Sequence, residues 1–412
     1  MSAAIPTTGA GDPGIGVGVG APHAPAFAAR RTGERRRRPV PLRAVWLLPA
    51  AVGLLAGLDA ALLLLGLPAP ITSDRLSQVH GMVLVLGFVG TLVALERATA
   101  LGRWIGFAAP ALLGAGAVLL VVDLVPLIVG KTVLVAGAAA FTLVYPPLWR
   151  RQRDAALLTQ LLAAVLGCAA AILWLGDVAV DRVFPWLIAF VVLTIAAERV
   201  ELARITMGPH AGGRLLVAGW STVVALVVSL VHADAGAILL GATLLVLTVW
   251  LLRHDVARRT INARGVTRFM AACMLGGYAW LAVGAGVLLL GHPDGRPAYD
   301  AVLHAVFLGF TLSMIIAHST TILPAVLRRP LPYRPVFWAP MILLHAGLVM
   351  RIGFGDGLGG MLAWQLGGVL NIAALVLFLV LAVGSSIAGE PARPERRPGG
   401  RGAVVAGRSV AS

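Results

Sequence analysis

Twelve runs of predominantly apolar residues follow one another along the chain, each close to the roughly 20 residues that an α-helix needs to cross a hydrocarbon core about 30 Å thick. Their limits fall near 45–67, 78–95, 104–122, 126–148, 155–176, 183–202, 214–232, 235–252, 269–291, 301–323, 336–354 and 360–383. Inside a bilayer every backbone N–H and C=O must find its partner within the protein, which leaves helices or a closed barrel. Runs of this length and character point to helices. Composition agrees: 59% of the 412 residues are hydrophobic, 12% are charged, and the mean hydropathy is +0.90. The expected fold is an all-α integral membrane protein with about twelve transmembrane helices, and the first partner it implies is the lipid bilayer.

A net charge of +15 would fit a nucleic-acid-binding protein, but the arginines lie in the two tails and in alternate loops. That is where a bilayer places them, so no nucleic-acid partner is expected. Loops after the even-numbered runs are basic, as in Arg150, Arg151 and Arg153, or Arg253, Arg258, Arg259, Arg264 and Arg268. Those after the odd-numbered runs carry only Arg75, Arg182, Arg296 and Arg351. The positive-inside rule then makes the even loops and both termini cytoplasmic, in a multi-pass protein of the cell (inner) membrane. Regular alternation also supports an even number of helices.

The expected organisation is a basic, disordered cytoplasmic tail at 1–41, a membrane domain at 42–385 and a second disordered cytoplasmic tail at 386–412. The first tail is rich in Gly, Ala and Pro and ends in RRTGERRRR, a composition suited to lying near anionic headgroups. Arg30 and Arg31 resemble a twin-arginine signal, yet the run that follows is of full spanning length without a small-residue cleavage site, and it reads as a retained anchor. Cys168 and Cys273 lie in apolar runs without a CxxC or CxxCH pattern, which argues against a disulfide framework, a thiolate metal site or covalently attached haem.

Chemistry enters through histidine. His304 and His318 share one apolar run, AVLHAVFLGFTLSMIIAHSTTILPAVL; a step of 14 residues in an α-helix brings the second ring to within about 40° of the first and about 21 Å further along the axis. They share a face but cannot share a ligand. Ionisable residues within spans are costly and mark functional sites, and histidine is the usual protein ligand for haem and transition metals. Depth can be read from flanking polar residues. His80 lies five residues after Arg75 and His304 four after Asp300; His318 lies ten before Arg328 and His345 eleven after Arg334. Two pairs follow, an outer one of His80 with His304 and an inner one of His318 with His345. The bland alternative is that each histidine hydrogen-bonds a neighbouring helix.

Gly87, Gly309 and Thr311 place small side chains near these rings, which either clears space for a planar group or lets helices approach closely. Arg75, Arg296 and Arg351 sit where they could answer carboxylates on the edge of such a group. Asp59 and Lys131 are expected to neutralise each other. Glu96–Arg97 and Glu198–Arg199, at the cytoplasmic ends of the second and sixth helices, read as headgroup or cross-helix ion pairs. Short echoes between TLVALERATALGR and TIAAERVELAR, and between HGMVLVLGF and HAVFLGF, suggest three pseudo-repeats of four helices.

Twelve spans, a second-helix histidine in QVHGMVLVLGF, histidines on the tenth and eleventh helices and the hints of repetition together resemble the haem-copper oxidase subunit I superfamily, and within it the NnrS-like group. The resemblance covers about residues 42–385. It implies a haem-ligand role for His80 and for one or both of His304 and His318. It further implies b-type haem, copper as a second metal, and a part in the bacterial response to nitric oxide or in redox homeostasis, with a small diatomic ligand or a redox partner. The sequence departs from the oxidase pattern in the sixth run (VFPWLIAFVVLTIAAERVELAR) and the seventh (RLLVAGWSTVVALVVSLVH), which lack interior histidines; only the terminal His232 remains. An oxidase-type binuclear centre is therefore not expected. The one copper site that can be drawn uses His318 and His345 with Met314 or a water. Two other functions compete: a proton-coupled secondary transporter using intramembrane His and Glu, and an accessory subunit whose histidines are structural.

Overall fold

The computed structural model describes residues 45, 47–327 and 331–389. Among the described residues, twelve helices are long and apolar enough to cross a membrane, and none of the chain is strand. They are α1 (Leu47–Leu64), α2 (Asp74–Leu101), α3 (Trp104–Val121), α4 (Leu127–Arg151), α5 (Ala155–Leu175), α6 (Val180–Leu202), α7 (Ala211–Val231), α8 (Ala233–His254), α9 (Val266–Leu288), α10 (Arg296–Pro324), α11 (Pro335–Asp356) and α12 (Met361–Ala388). The expectations for residues 1–41 and for most of 386–412 lie outside the described residues. The boundary drawn at 385 moves, because α12 continues to Ala388 and stops where Gly389 adopts a left-handed φ of 68°.

Hydropathy misses the polar helix ends and caps restore them. The second helix begins at Asp74, four residues before the apolar run, because the Ser73 hydroxyl accepts the Arg75 backbone N–H at 3.2 Å. Asp154 likewise caps α5 by accepting from the Ala156 N–H at 3.0 Å.

Neighbours in sequence are neighbours in space: α3 packs on α4, α5 on α6, α8 on α7 and on α9, and α11 on α12. Contacts between α1 and α12 and between the Gly90–Leu101 part of α2 and the last turns of α10 join distant segments. The sixth helix is the most enclosed of the twelve, whereas α7 and α12 have the most open surface.

Three spans are not uniform α-helix. They wind as π-helix over Val83–Val89 in α2, His304–Leu312 in α10 and Val349–Asp356 in α11. In α10 the Thr311 hydroxyl donates to the Val306 carbonyl, five residues back, at 3.0 Å. Each i→i+5 turn holds about one residue more than an α-turn, so it rotates everything beyond it. The phase reckoned between His304 and His318 for a straight α-helix therefore does not apply.

Candidate functional site

His80 and His304 line one cavity of about 450 Å³ between α1, α2, α6, α10, α11 and α12. Its walls are mostly leucine, valine and phenylalanine. It lies toward the end of the bundle that carries the loops after the odd-numbered helices, where Arg296, Arg351 and Trp364 line it as well.

The partners of each imidazole decide its tautomer, since a carbonyl oxygen only accepts and an indole N–H only donates. His80 donates from Nδ1 to the Gly57 carbonyl of α1 at 2.9 Å. His304 donates from Nδ1 to the carbonyl of Asp300, one turn earlier, at 2.9 Å, with Asp300 Oδ1 at 3.3 Å from the same nitrogen. In both rings the lone pair rests on Nε2, which has no hydrogen-bond partner among the described residues. A histidine that gives its Nδ1–H to a carbonyl or carboxylate and keeps Nε2 open is seated as metal ligands are.

Asp300 is fixed in turn. Arg351 of α11 grips its carboxylate with two bonds of 2.7 Å, and the Trp364 indole of α12 donates to it at 3.2 Å. The guanidinium groups of Arg351 and Arg296 lie 4.6 and 4.3 Å from the centre of the Trp364 ring. Arg296 forms no ion pair within 4 Å among the described residues and stands at the cavity rim with Asp356 of α11 as a charged neighbour. Of the three arginines expected to answer carboxylates there, Arg75 is elsewhere: its Nη1 donates to the carbonyls of Val122, Asp123 and Val125, tying the start of α2 to the loop after α3.

The inner two histidines are employed differently. His318 donates from Nδ1 to the Met314 carbonyl at 2.8 Å and accepts at Nε2 from Arg199 of α6 at 2.9 Å. Arg199 is held by Asp255 through bonds of 3.0 and 3.1 Å, and Tyr278 donates to the same carboxylate at 2.7 Å. His345 accepts at Nδ1 from the Trp280 indole at 2.8 Å, so its proton is on Nε2, which faces Ser313 Oγ at 3.5 Å. No hydrogen bond joins His318 to His345. With both ring nitrogens of each committed, and a guanidinium against one of them, the copper site drawn from His318, His345 and Met314 does not fit as these side chains are seated.

One further expectation changes, and one open alternative is decided. Lys131 pairs with Asp177 at 2.5 Å and donates to the Trp174 carbonyl at 2.9 Å, while Asp59 accepts only from the Ile71 backbone N–H at 3.3 Å. The reason is packing: α4 runs against α5, whose end supplies both acceptors. A Cβ at Gly87 would stand 2.5 Å from the Ala117 Cβ of α3, and one at Gly309 would stand 2.4 Å from Trp280 of α9. These glycines serve close helix approach and not clearance for a macrocycle.

Sequence reasoning passed over Asp300 except as a depth marker, and passed over Asp255 and Tyr278 altogether. Asp300 carried a readable signal, its position one α-turn before His304; Asp255 sits in a loop and carried none.

A family model described as a domain of unknown function, DUF8744, matches residues 43–387. The chain belongs to the DUF8744 family. No curated protein matches it. The DUF8744 region takes in nearly all of the twelve spans, from before α1 to within one residue of the end of α12, together with the cavity, its two histidines and the Arg351–Asp300–Trp364 cluster.

Proposed function

We propose that this DUF8744 protein binds haem in the cell membrane, that His80 and His304 would hold it, and that it acts in redox or nitric oxide homeostasis. One observation carries the reading: two histidines from helices far apart in sequence line the same cavity, each with Nδ1–H spent on a carbonyl and Nε2 left open. The remaining residues fit. A cavity of about 450 Å³ lies within the range of small-molecule sites. Asp300 orients the His304 ring, Arg351 and Trp364 fix Asp300, and Arg296 places a cation at the rim. A haem held there would supply reversible one-electron exchange. Two protein ligands favour electron transfer over the binding of a diatomic molecule, and the nitric oxide setting rests on the resemblance to NnrS-like proteins. Copper is left out, because His318 and His345 have no ring nitrogen to give. In this reading the basic loops face the cytoplasm, the cavity lies toward the outer face, and α2 and α10, each carrying a histidine beside a π segment, are equivalent elements of a repeated architecture.

The test is the absorption spectrum and iron content of the protein purified from haem-sufficient cells. A Soret band is expected, weakened or shifted by His80→Ala and by His304→Ala and retained in His318→Ala and His345→Ala. A colourless, iron-free protein ends the proposal.

A further inference from the structure

A second polar cluster lies at the other end of the bundle, sixteen and seventeen residues along α2 from His80. Arg97 of α2 donates from Nη2 to Glu96 at 2.6 Å, and from Nη1 to Glu201 of α6 at 3.2 Å and to Gln160 of α5 at 3.1 Å. Gln160 also donates to Glu201 at 3.1 Å. Glu198, one turn before Glu201, has Glu96, Arg97, Glu201 and Arg199 as charged neighbours, and its Oε1 is buried without a hydrogen-bond partner among the described residues. Tyr145 enters from α4 with 0% of its surface exposed. Among the described residues its hydroxyl takes no partner, and the charged groups around it are Arg97, Glu198, Glu96 and Glu201. The Nε of Arg97 is likewise buried and unpartnered.

Arg97 thus bonds two of the three carboxylates, and among the described residues Glu198 forms no ion pair. Arg199, its neighbour in the chain, is committed to Asp255 and His318. Other elements against α6 bring no relief: Arg214 stands at the exposed start of α7, Arg204 pairs with Asp154 at 3.4 Å, and His318 of α10 is turned to Arg199. An ionised carboxylate without a partner is expensive to keep in a span, and such residues mark ion or proton routes. Among the described residues no group of three or more His, Cys, Asp or Glu could hold a metal ion.

We propose that this cluster is a proton-binding site, with Glu198 as the group that takes up and releases the proton at the membrane face bearing the basic loops. In uptake one Glu198 oxygen forms an O–H bond, a hydronium ion loses that proton and leaves as water, and no electron moves. The Tyr145 hydroxyl and the Arg97 Nε–H are donors placed beside the carboxylate when the proton is gone. The proposal stands apart from the haem reading, since none of these groups lines the histidine cavity.

Infrared difference spectra of the purified full-length protein in lipid nanodiscs, taken between mildly acid and mildly alkaline buffer, test it. The wild type should show a carboxylic-acid C=O band that disappears on the alkaline side, moves down on carbon-13 labelling of glutamate and is absent from Glu198→Gln. Tyr145→Phe should keep the band and shift its frequency. Absence of the band from the wild type, its persistence in Glu198→Gln or indifference to the label would overturn the proposal. Should Glu198→Gln fail to accumulate, the label and Tyr145→Phe decide it, and a band indifferent to both overturns it. Retention of radioactive sodium by the wild type and not by Glu198→Gln would assign the site to a metal cation and overturn it as well.

Discussion

At the scale of single residues, what separates the outer histidines from the inner ones is the group opposite each ring nitrogen, and that depends on neighbours that spacing does not reveal. All four lie inside spans, as the apolar runs around them required. The tautomers follow from Gly57, Asp300, Met314, Arg199, Trp280 and Ser313, of which only Asp300 and Met314, each one turn before its histidine, are near it in sequence and on the same helical face. Asp300 also supports a prediction about stability. Its pair with Arg351 is largely enclosed and bidentate, and removing one member leaves the other charge buried and uncompensated, at a cost of about 3–5 kcal/mol. Asp300→Ala should therefore lower the thermal unfolding midpoint of the detergent-solubilised protein markedly. The double variant Asp300→Leu with Arg351→Met should regain most of the loss, because paired replacement by apolar groups of similar volume is often neutral. A double variant no better than the single one would show that the ion pair is not what Asp300 stabilises.

At the scale of helices, lipid tails are as apolar as leucine, so spans associate through close packing and polar contacts and not through the hydrophobic effect. The apolar runs gave the helices and their order; they could not say which small residues lie at crossings, since glycine in a span serves either clearance or contact. The answer differs from position to position. A Cβ at Gly309 would collide with Trp280, whereas one at Gly286 of α9 meets nothing within 4 Å. Gly309→Ala should cost about 1–3 kcal/mol by overpacking, and it should also disturb the Trp280–His345 hydrogen bond. Gly286→Ala should stay within about 1 kcal/mol of the wild type and, if anything, stabilise the helix. Thermal unfolding of the two variants side by side checks the pair; equal midpoints would remove the distinction. The π segments were equally hidden, because a change from i→i+4 to i→i+5 bonding leaves no mark in hydropathy.

At the scale of the whole molecule, twelve spans in succession were legible because length and apolarity are sufficient to specify them, but their arrangement around α6 was not. Faces toward lipid and faces toward protein are alike in hydrophobicity, so the sequence offers no amphipathic stripe to orient each helix. The distribution of arginine carries different information, about the two sides of the membrane. Basic loops follow α2, α4, α6, α8 and α10, and the polar cluster around Glu198 lies at that end, while the histidine cavity lies at the other. The positive-inside rule turns this asymmetry into a testable orientation. Arg153, after α4, and Arg182, in the first turn of α6, are both exposed, and the two native cysteines lie within spans and can be replaced by alanine. In that background a cysteine at position 182 should react with a membrane-impermeant maleimide added to whole cells, and a cysteine at position 153 should react only in inside-out vesicles. The reverse pattern would turn the molecule over, placing the cavity toward the cytoplasm and the proton site toward the outside, and would require any electron donor to reach His80 and His304 from within the cell.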